Sequence, residues 1–184
     1  MIHGHMKANA SPQSISQVPN WFERKFEFSF PVTQYPNLCV RLRGTPARLE
    51  EMMGHSAREL LVHRPGDKWS AQEHAGHLHD LEPLWLARVE DFLRGGETLT
   101  VADLTNRKTD EANHNARPLA EILSAFRDAR MRLANRAEAL EPENFSRSML
   151  HPRLKQPMRL VDHLFFVAEH DDHHLARIWE LIKL

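Results

Sequence analysis

The sequence predicts an all-α protein, an antiparallel up-down four-helix bundle that follows an N-terminal arm. Two observations lead to this prediction. Four stretches are long enough for bundle helices and carry apolar residues at helical spacing, and no stretch has a convincing strand pattern. With 184 residues, the chain is long enough for one domain with a sizeable core. We assign residues 1–35 to the arm and residues 36–184 to the bundle domain.

The composition is that of an ordinary soluble protein and argues against several functional classes. Hydrophobic residues make up 41% and charged residues 27%. A formal net charge of −1 without a basic block argues against nucleic acid as a partner. No apolar run reaches membrane-spanning length and no signal peptide is evident, so we expect no membrane partner. The single cysteine, Cys39, excludes an intramolecular disulfide and suits a cytoplasmic location.

The arm and the first helix come first in the chain. Residues 1–20 are rich in Ser, Gln, Asn and His and are predicted to be flexible. Residues 21–31 alternate aromatic and charged side chains, as in a short extended piece that lays aromatic rings along a domain. The first helix is expected over residues 35–53. We expect it to kink or restart at Thr45 and Pro46, which have the pattern of an N-cap followed by a first-turn proline.

The second bundle helix is predicted over residues 71–93. Ser70 and Glu73 have the pattern of a capping box at its start, and Ser56 and Glu59 have the same pattern before a short turn upstream. Its apolar stripe consists of Leu78, Leu81, Trp85, Val89 and Phe92.

The second half of the chain is predicted to hold a long loop and two more helices. Residues 97–117 are polar, and we interpret them as a loop with room for a helical turn, of a length that is often functional. The third helix is predicted over residues 118–140, with its Glu and Arg residues on a solvated face. A loop follows over residues 142–156. Pro157 is expected in the first turn of the last helix, whose main body is residues 160–182.

The last helix carries the strongest functional signal, a cluster of histidines. His170 and His174 are four residues apart, so their side chains lie on one face of the helix, one turn above the other. Two imidazoles in this arrangement can bind one divalent ion, but a third ligand must come from elsewhere. His163 lies on the same flank, whereas His173 projects to the polar side. Asp171 projects into the apolar face, where a carboxylate needs a partner.

The second helix offers the third ligand. His77 lies at the flank of its apolar stripe, while His79 projects to solvent and His74 to the centre of the core face. Glu73 and Asp80 share the flank of His77, one turn away on either side. We therefore expect one of these carboxylates to orient an imidazole by accepting its second N–H.

Each of these assignments has a simpler structural alternative. An isolated histidine such as His77 is frequently a residue at the edge of a core, and the His170–His174 pair could form a polar seam between helices. The spacing alone leaves both interpretations open.

The chain resembles the DinB/YfiT-like superfamily of metal-dependent enzymes over residues 36–184. Two motifs carry the resemblance. They are Trp69-Ser70-x-x-Glu73-His74-x-x-His77-Leu78 and, about ninety residues later, His170-Asp171-x-His173-His174-Leu175-x-x-Ile178. The polar segment 97–117 and the aromatic arm depart from the barest family pattern, and both could reshape the mouth of the site.

The resemblance implies a four-helix bundle, commonly a homodimer, that holds one divalent ion (nickel, zinc, iron or manganese in different members). Carried over position by position, the three metal ligands are His77, His170 and His174. It also implies a small-molecule substrate. Some relatives act as S-transferases or isomerases with a low-molecular-weight thiol such as mycothiol or bacillithiol as cosubstrate, and others are called hydrolases.

Three neutral imidazoles would leave open coordination positions, as in a catalytic rather than a structural metal site. We therefore hypothesise that the ion activates either water, in a hydrolase, or a thiol, in a transferase, with Glu73 or Asp80 as proton carrier. Cys39 lies outside both motifs and is a poor candidate nucleophile. The alternative is a non-catalytic bundle that binds a metal or a small ligand.

Overall fold

The computed structural model describes residues 18–183, so residues 1–17 of the predicted flexible arm lie outside the described part. The predicted four-helix bundle is confirmed. Its four long helices are α1 (Tyr35–Met53), α3 (Ala71–Arg94), α5 (Leu119–Glu138) and α6 (Leu160–Ile182). Two five-residue helices, α2 (Arg58–Val62) and α4 (Arg107–Glu111), and one hairpin of β1 (Ser148–His151) and β2 (Gln156–Arg159) complete the fold, together with single turns of 3₁₀-helix.

Helices that follow one another along the chain are not always neighbours in the bundle. Both α1 and α3 pack along α5 and α6, so α1 and α3 lie at diagonally opposite corners of the bundle. Ion pairs give the helix directions. Helices α1 and α5 are antiparallel, because Arg43 pairs with Glu138 whereas Glu50, further along α1, pairs with Arg127, earlier in α5.

The same kind of evidence makes α3 and α5 parallel, because Glu82 pairs with Arg130 and, further along both helices, Glu90 pairs with Arg136. The helix order is therefore up, down, down, up, rather than the alternating order expected from the sequence. Two parallel neighbours need a connection that returns along the length of the bundle. Residues 95–118 form this connection, which we call the crossover segment. It contains α4 and a turn of 3₁₀-helix at His114–Ala116.

Helix α1 is continuous through Thr45 and Pro46, so of the two alternatives expected there, a kink or a restart, the restart is wrong. Thr45 is buried, and its hydroxyl donates to the carboxylate of Asp171 at 2.9 Å. Pro46 removes the N–H that would bond to the carbonyl of Leu42. The guanidinium of Arg130 donates to this carbonyl instead, at 3.4 Å, so the carbonyl keeps a hydrogen-bond partner.

Of the two capping boxes predicted from the sequence, one is confirmed and one is wrong. Ser70 and Glu73 form the predicted capping box of α3. The box predicted at Ser56 is absent, because α2 has no side-chain cap and the Ser56 hydroxyl donates back to a carbonyl of α1. Pro157 lies in β2 and not in the first turn of α6. That helix begins at Leu160, where Asp162 accepts the backbone N–H and the guanidinium of Arg159.

One buried ion-pair network joins three of the bundle helices, and it supplies the partner that Asp171 requires. Arg130, fully buried on α5, lies between the carboxylates of Glu82 on α3 and Asp171 on α6. Arg130 belongs to the helix whose charged residues were predicted to face solvent, and for this residue the prediction is wrong.

The described part of the arm lays aromatic rings on the bundle. The Trp21 ring packs edge-on against Phe166 at 5.1 Å and His170 at 5.0 Å, and Phe26 is buried. Among residues 18–183, no helix has the length and apolarity needed to cross a lipid bilayer.

Candidate metal centre

Three buried imidazoles meet between α3 and α6. These helices run antiparallel, so His77 in the first half of α3 lies opposite His170 and His174 in the middle of α6. Each ring offers one nitrogen, and these three nitrogens lie within 4.8 Å of one another. The Nε2 atoms of His170 and His174 are 3.2 Å apart. Two ligands of a tetrahedral ion, each about 2.0 to 2.1 Å from the metal, would be about 3.3 Å apart, so the residues present fit a divalent ion.

The crossover segment fixes the tautomer of His77. The hydroxyl of Thr109 donates to Asp80 Oδ2 at 3.0 Å, so its oxygen accepts from His77 Nδ1 at 3.0 Å. The proton of the neutral ring is therefore on Nδ1. The lone pair of Nε2 remains free, as a metal ligand requires.

His174 has a histidine as its outer partner. The Nδ1 atoms of His174 and His74 are 2.8 Å apart. Burial lowers the pKa of His74 to about 3, so its ring is neutral at pH 7 and can accept the N–H of His174. With its proton on Nδ1, His174 keeps the lone pair of Nε2 free for a metal ion, and this Nε2 lies 3.2 Å from Nε2 of His170. His74, expected in the core, thus becomes a positioning residue.

On the side of His170 away from His174, the ring is held by aromatic rings and not by a hydrogen bond. Its ring lies 5.0 Å from the Trp21 ring and 5.4 Å from the Trp85 ring. Its Nδ1 is buried and has no hydrogen-bond partner in the described part of the chain.

Burial keeps the cluster uncharged. It lowers the pKa of His77 to about 4, and it lowers the pKa values of His170 and His174 well below the usual value near 6.5, with further lowering from the neighbouring imidazoles. All three rings are thus neutral at pH 7, the state that binds metal.

Asp80 contacts the cluster through Thr109 and not directly. Although burial opposes its ionisation, the pKa of Asp80 is lowered by hydrogen bonds, above all from His114, whose Nε2 donates to Oδ2 at 2.8 Å. His114 can approach α3 because residue 76 is glycine: a Cβ there would lie 2.3 Å from the His114 ring. The predicted direct contact of Asp80 with His77 is therefore replaced by a relay through the crossover segment.

Glu73 does not take the role predicted for it. Its carboxylate accepts the backbone N–H of Ser70 at 2.8 Å and lies 3.3 Å from the guanidinium of Arg64, so it caps α3. The capping-box pattern of Ser70 and Glu73 in the sequence already indicated this role for Glu73.

The imidazole cluster opens on a pocket of about 410 Å³. Neither Glu73 nor Asp80 lines this pocket, although Asp80 is linked to His77 through the hydroxyl of Thr109. Its wall is largely aromatic and apolar. The principal apolar residues are Trp21, Phe22, Trp69, Leu81, Leu84, Trp85, Val101, Leu104 and Phe166.

Two other histidines of α6 lie near the cluster, and one of them, His173, differs from its predicted position on the polar surface. His173 is not a free surface residue: it lines the pocket, and its ring lies 5.0 Å from the His174 ring. His163 shares a flank with His170 in projection but stays outside the cluster. It is fully buried and donates from Nε2 to the carbonyl of Trp85 at 3.2 Å.

The chain provides no activated thiol of its own. Cys39 is buried in α1, and burial, followed by the charge of Glu138, raises the pKa of its thiol to about 11.

Comparisons with known proteins agree with this architecture. The sequence model described as DinB superfamily matches residues 41–178. No curated protein matches the sequence. Among solved structures, YfiT from Bacillus subtilis superposes with a TM-score of 0.74 at 22% identity, over 88% of this chain and 93% of that one. YfiT is described as a probable metal-dependent hydrolase with an unusual four-helix bundle topology, and the likeness extends to the fold.

Proposed function

Since this chain belongs to the DinB superfamily, we propose that it is a metal-dependent enzyme in which His77, His170 and His174 hold one divalent ion. The observation that carries the proposal is the convergence of three neutral imidazoles, within 4.8 Å, at the wall of a pocket large enough for a small molecule. A divalent ion held by neutral imidazoles supplies Lewis acidity, which makes a nearby water molecule or thiol more acidic and so a better nucleophile.

The reaction we propose uses a nucleophile from outside the chain, because Cys39 is buried and its thiol stays protonated. Hydrolysis, with water as the nucleophile, is favoured by the fold shared with YfiT. Transfer to a low-molecular-weight thiol is the second candidate, and the apolar wall of the pocket supports it because such a wall would hold the body of an organic electrophile.

The protein's residues would bind the substrate, exclude water and accept a proton. Trp69 forms part of the wall beside the cluster, with its ring 4.7 Å from His77 and its indole N–H donating to Asp110 at 2.9 Å. His173 is the proton acceptor we propose in place of Glu73 and Asp80, because it lines the pocket and its ring lies 5.0 Å from the ring of His174. The substitution His173→Asn should slow turnover without changing the metal content. Unchanged turnover would eliminate this role.

Metal analysis of the purified protein is the first test. We expect about one equivalent of divalent metal per chain, and its loss in His77→Ala and in His170→Ala. The matched control is His55→Ala, because His55 is exposed on the turn after α1. A metal content that neither cluster substitution reduces would eliminate the site, and with it the enzyme.

The two nucleophiles are separated by incubating the metallated protein with an activated ester and an alkyl halide, each with and without a thiol. Turnover of the ester without thiol indicates a hydrolase. Turnover that requires the thiol indicates a transferase. A metallated protein that turns over neither compound would favour the non-catalytic metal-binding bundle.

A homodimer is also proposed, on the resemblance alone. Light scattering coupled to size-exclusion chromatography should give twice the chain mass of 21.4 kDa. A mass of one chain at micromolar concentration would contradict it.

A further inference from the structure

The pocket has a second polar end, formed by two arginines that have no carboxylate partner. Arg88 on α3 and Arg153 in the β1–β2 turn both line the pocket. Arg88 is only 1% exposed. Across residues 18–183, no carboxylate forms an ion pair with either side chain, and residues 1–17 contain no aspartate or glutamate. A buried guanidinium without a counterion is costly, so the pair requires an explanation.

The bonds that Arg88 does make leave much of its donor capacity unused. Its Nε donates to the carbonyl of Thr100 at 2.9 Å. Asp91 acts on Arg88 only through its charge, because its oxygens accept from Thr100 and Arg94. Burial lowers the pKa of Arg88 to about 10, so the side chain is still charged at neutral pH.

A histidine beside Arg88 presents a further donor. Nδ1 of His151 accepts the backbone N–H groups of Arg153 and Leu154 at 3.2 and 3.1 Å. Burial, followed by the charges of Arg88 and Arg153, lowers the pKa of His151 to about 3, so the ring is neutral and carries one proton. Because Nδ1 accepts two hydrogen bonds, this proton is on Nε2. Nε2 lies 3.1 Å from Nη1 of Arg88. Two donors therefore face each other without an acceptor.

Arg153 adds a third unsatisfied donor at the same end. Its Nη2 is buried and has no hydrogen-bond partner in the described part of the chain. Its guanidinium carbon lies 5.7 Å from the Phe166 ring and 5.9 Å from the Trp21 ring. The guanidiniums are thus held against the same aromatic wall that borders the imidazole cluster, because Trp21 also contacts His170 and Phe166 precedes it by one helical turn.

We propose that Arg88, His151 and Arg153 bind the anionic head group of a small organic molecule whose apolar body lies against Trp21, Trp85 and Phe166. An oxygen anion would accept from all three donors at once, which a neutral group would do far less well. Along α3, Arg88 lies 11 residues after His77, about 16 Å of helix rise. An anion with a body of several carbons would therefore reach from the guanidiniums towards the imidazoles.

The identification of this anion as the substrate rests on the proposed function, whereas its binding does not. Carboxylates and phosphate monoesters present the same charged oxygens to these donors. The two classes are separated by using a probe of each.

The test is a calorimetric titration of the purified protein with 4-phenylbutanoate, 3-phenylpropyl phosphate and the neutral analogue 4-phenylbutanamide. Each titration is repeated after the metal has been removed with a chelator, so that loss of the metal site cannot be mistaken for loss of the anion site. We expect at least one anion to bind tenfold or more tightly than the amide in both states. The preferred anion identifies the head group.

The variants Arg88→Met and Arg153→Gln should reduce this preference to less than twofold. Arg88 is buried, so circular dichroism must show that Arg88→Met folds. Arg153 is partly exposed, and Arg153→Gln carries the test if Arg88→Met does not fold. Arg136→Gln is the matched control, because Arg136 pairs with Glu90 outside the pocket, and it should keep the full preference.

Equal affinity for the anions and the amide in the unsubstituted protein would overturn the proposal. An anion preference that survives in the folded arginine variants would overturn it as well. Neither result would affect the metal analysis described above.

Discussion

Thr109 is the residue on which the orientation of His77 depends. Its hydroxyl accepts from His77 and donates to Asp80, and the residue is 3% exposed. Thr109→Val keeps the shape but removes both bonds, so His77 loses the contact that selects its tautomer. We expect a 10-fold to 100-fold loss of metal affinity, the range typical of outer partners of metal ligands.

Metal competition with a chromogenic chelator measures this effect, and circular dichroism shows whether the helices persist. Thr105→Val is the matched control, because Thr105 lies in the same crossover segment and bonds only to exposed Asp103. Equal metal affinity of Thr109→Val and the unsubstituted protein would contradict a role for the relay.

Arg130 is the residue with the largest expected effect on stability. It is fully buried between Glu82 and Asp171, so Arg130→Met leaves two carboxylates without their cation. Breaking a buried ion pair from one side typically costs about 3 to 5 kcal/mol of unfolding free energy. Chemical denaturation measures the change.

Arg136→Met provides the comparison on the same helix. Arg136 forms an exposed pair with Glu90, which should contribute less than about 1 kcal/mol. Similar losses in the two variants would show that the buried network is not the source of the stability.

The sequence indicated which imidazoles meet but not what holds them. His170 and His174 follow from their spacing, and His77 from the flank of an amphipathic helix. Thr109 and His114 could not be found in the same way, because the crossover segment has no periodicity that would orient its side chains. The burial of Arg130 could not be predicted for a different reason. A charged residue on a helix is expected to face solvent unless its carboxylate partners, here on two other helices, are known.

At the scale of secondary structure elements, the packing of the crossover segment on α3 depends on Gly76. A Cβ at this position would lie 2.3 Å from the ring of His114, whose bond to Asp80 would then be lost. We expect Gly76→Ala to lower the unfolding free energy by about 1 to 3 kcal/mol, as overpacking does, and to weaken metal binding.

Gly44→Ala is the control for this prediction, because Gly44 lies inside α1 and a Cβ there meets nothing within 4 Å. Without a clash, replacing a helical glycine by alanine stabilises by up to about 1 kcal/mol. The two substitutions should therefore have opposite signs in a thermal or chemical melt. A stabilising Gly76→Ala would show that His114 can move at no cost.

The helix ends and the hairpin show where sequence patterns fail at this scale. Ser70 and Glu73 predicted the start of α3 because both halves of a capping box are local. The hairpin was missed because its strands are four residues long and one of them contains Pro157, which disfavours a strand unless it lies at an edge.

At the scale of the whole molecule, the parallel pair α3 and α5 explains the length of the crossover segment. The polar residues 97–117, which depart from the barest family pattern, return the chain from one end of the bundle to the other. On the way they supply Thr109 to His77 and Val101 and Leu104 to the pocket wall. The connection that the topology requires is thus also one wall of the site.

The histidines buried throughout the bundle make the stability of the whole molecule depend on pH. His163 is the clearest case, because it is fully buried outside the metal centre and burial, followed by the charge of Arg88, lowers its pKa to about 3. In the unfolded chain the same ring titrates near pH 6.5. As the pH falls below 6.5, the unfolded chain takes up a proton that the folded one does not. Stability is therefore complete above pH 6.5 and is lost progressively towards pH 3.

Between pH 6.5 and pH 5 this single group should lower the unfolding free energy by about 1.7 kcal/mol. His163→Leu removes this titration. In urea denaturation, the unfolding free energy of the variant should therefore fall less between pH 6.5 and pH 5 than that of the unsubstituted protein, by the amount that His163 contributes. The exposed His55, replaced by leucine, should leave the pH dependence unchanged. If His163→Leu and the unsubstituted protein lost stability in parallel between these pH values, His163 would have to be protonated in the folded bundle, and its burial against the carbonyl of Trp85 would not control its charge.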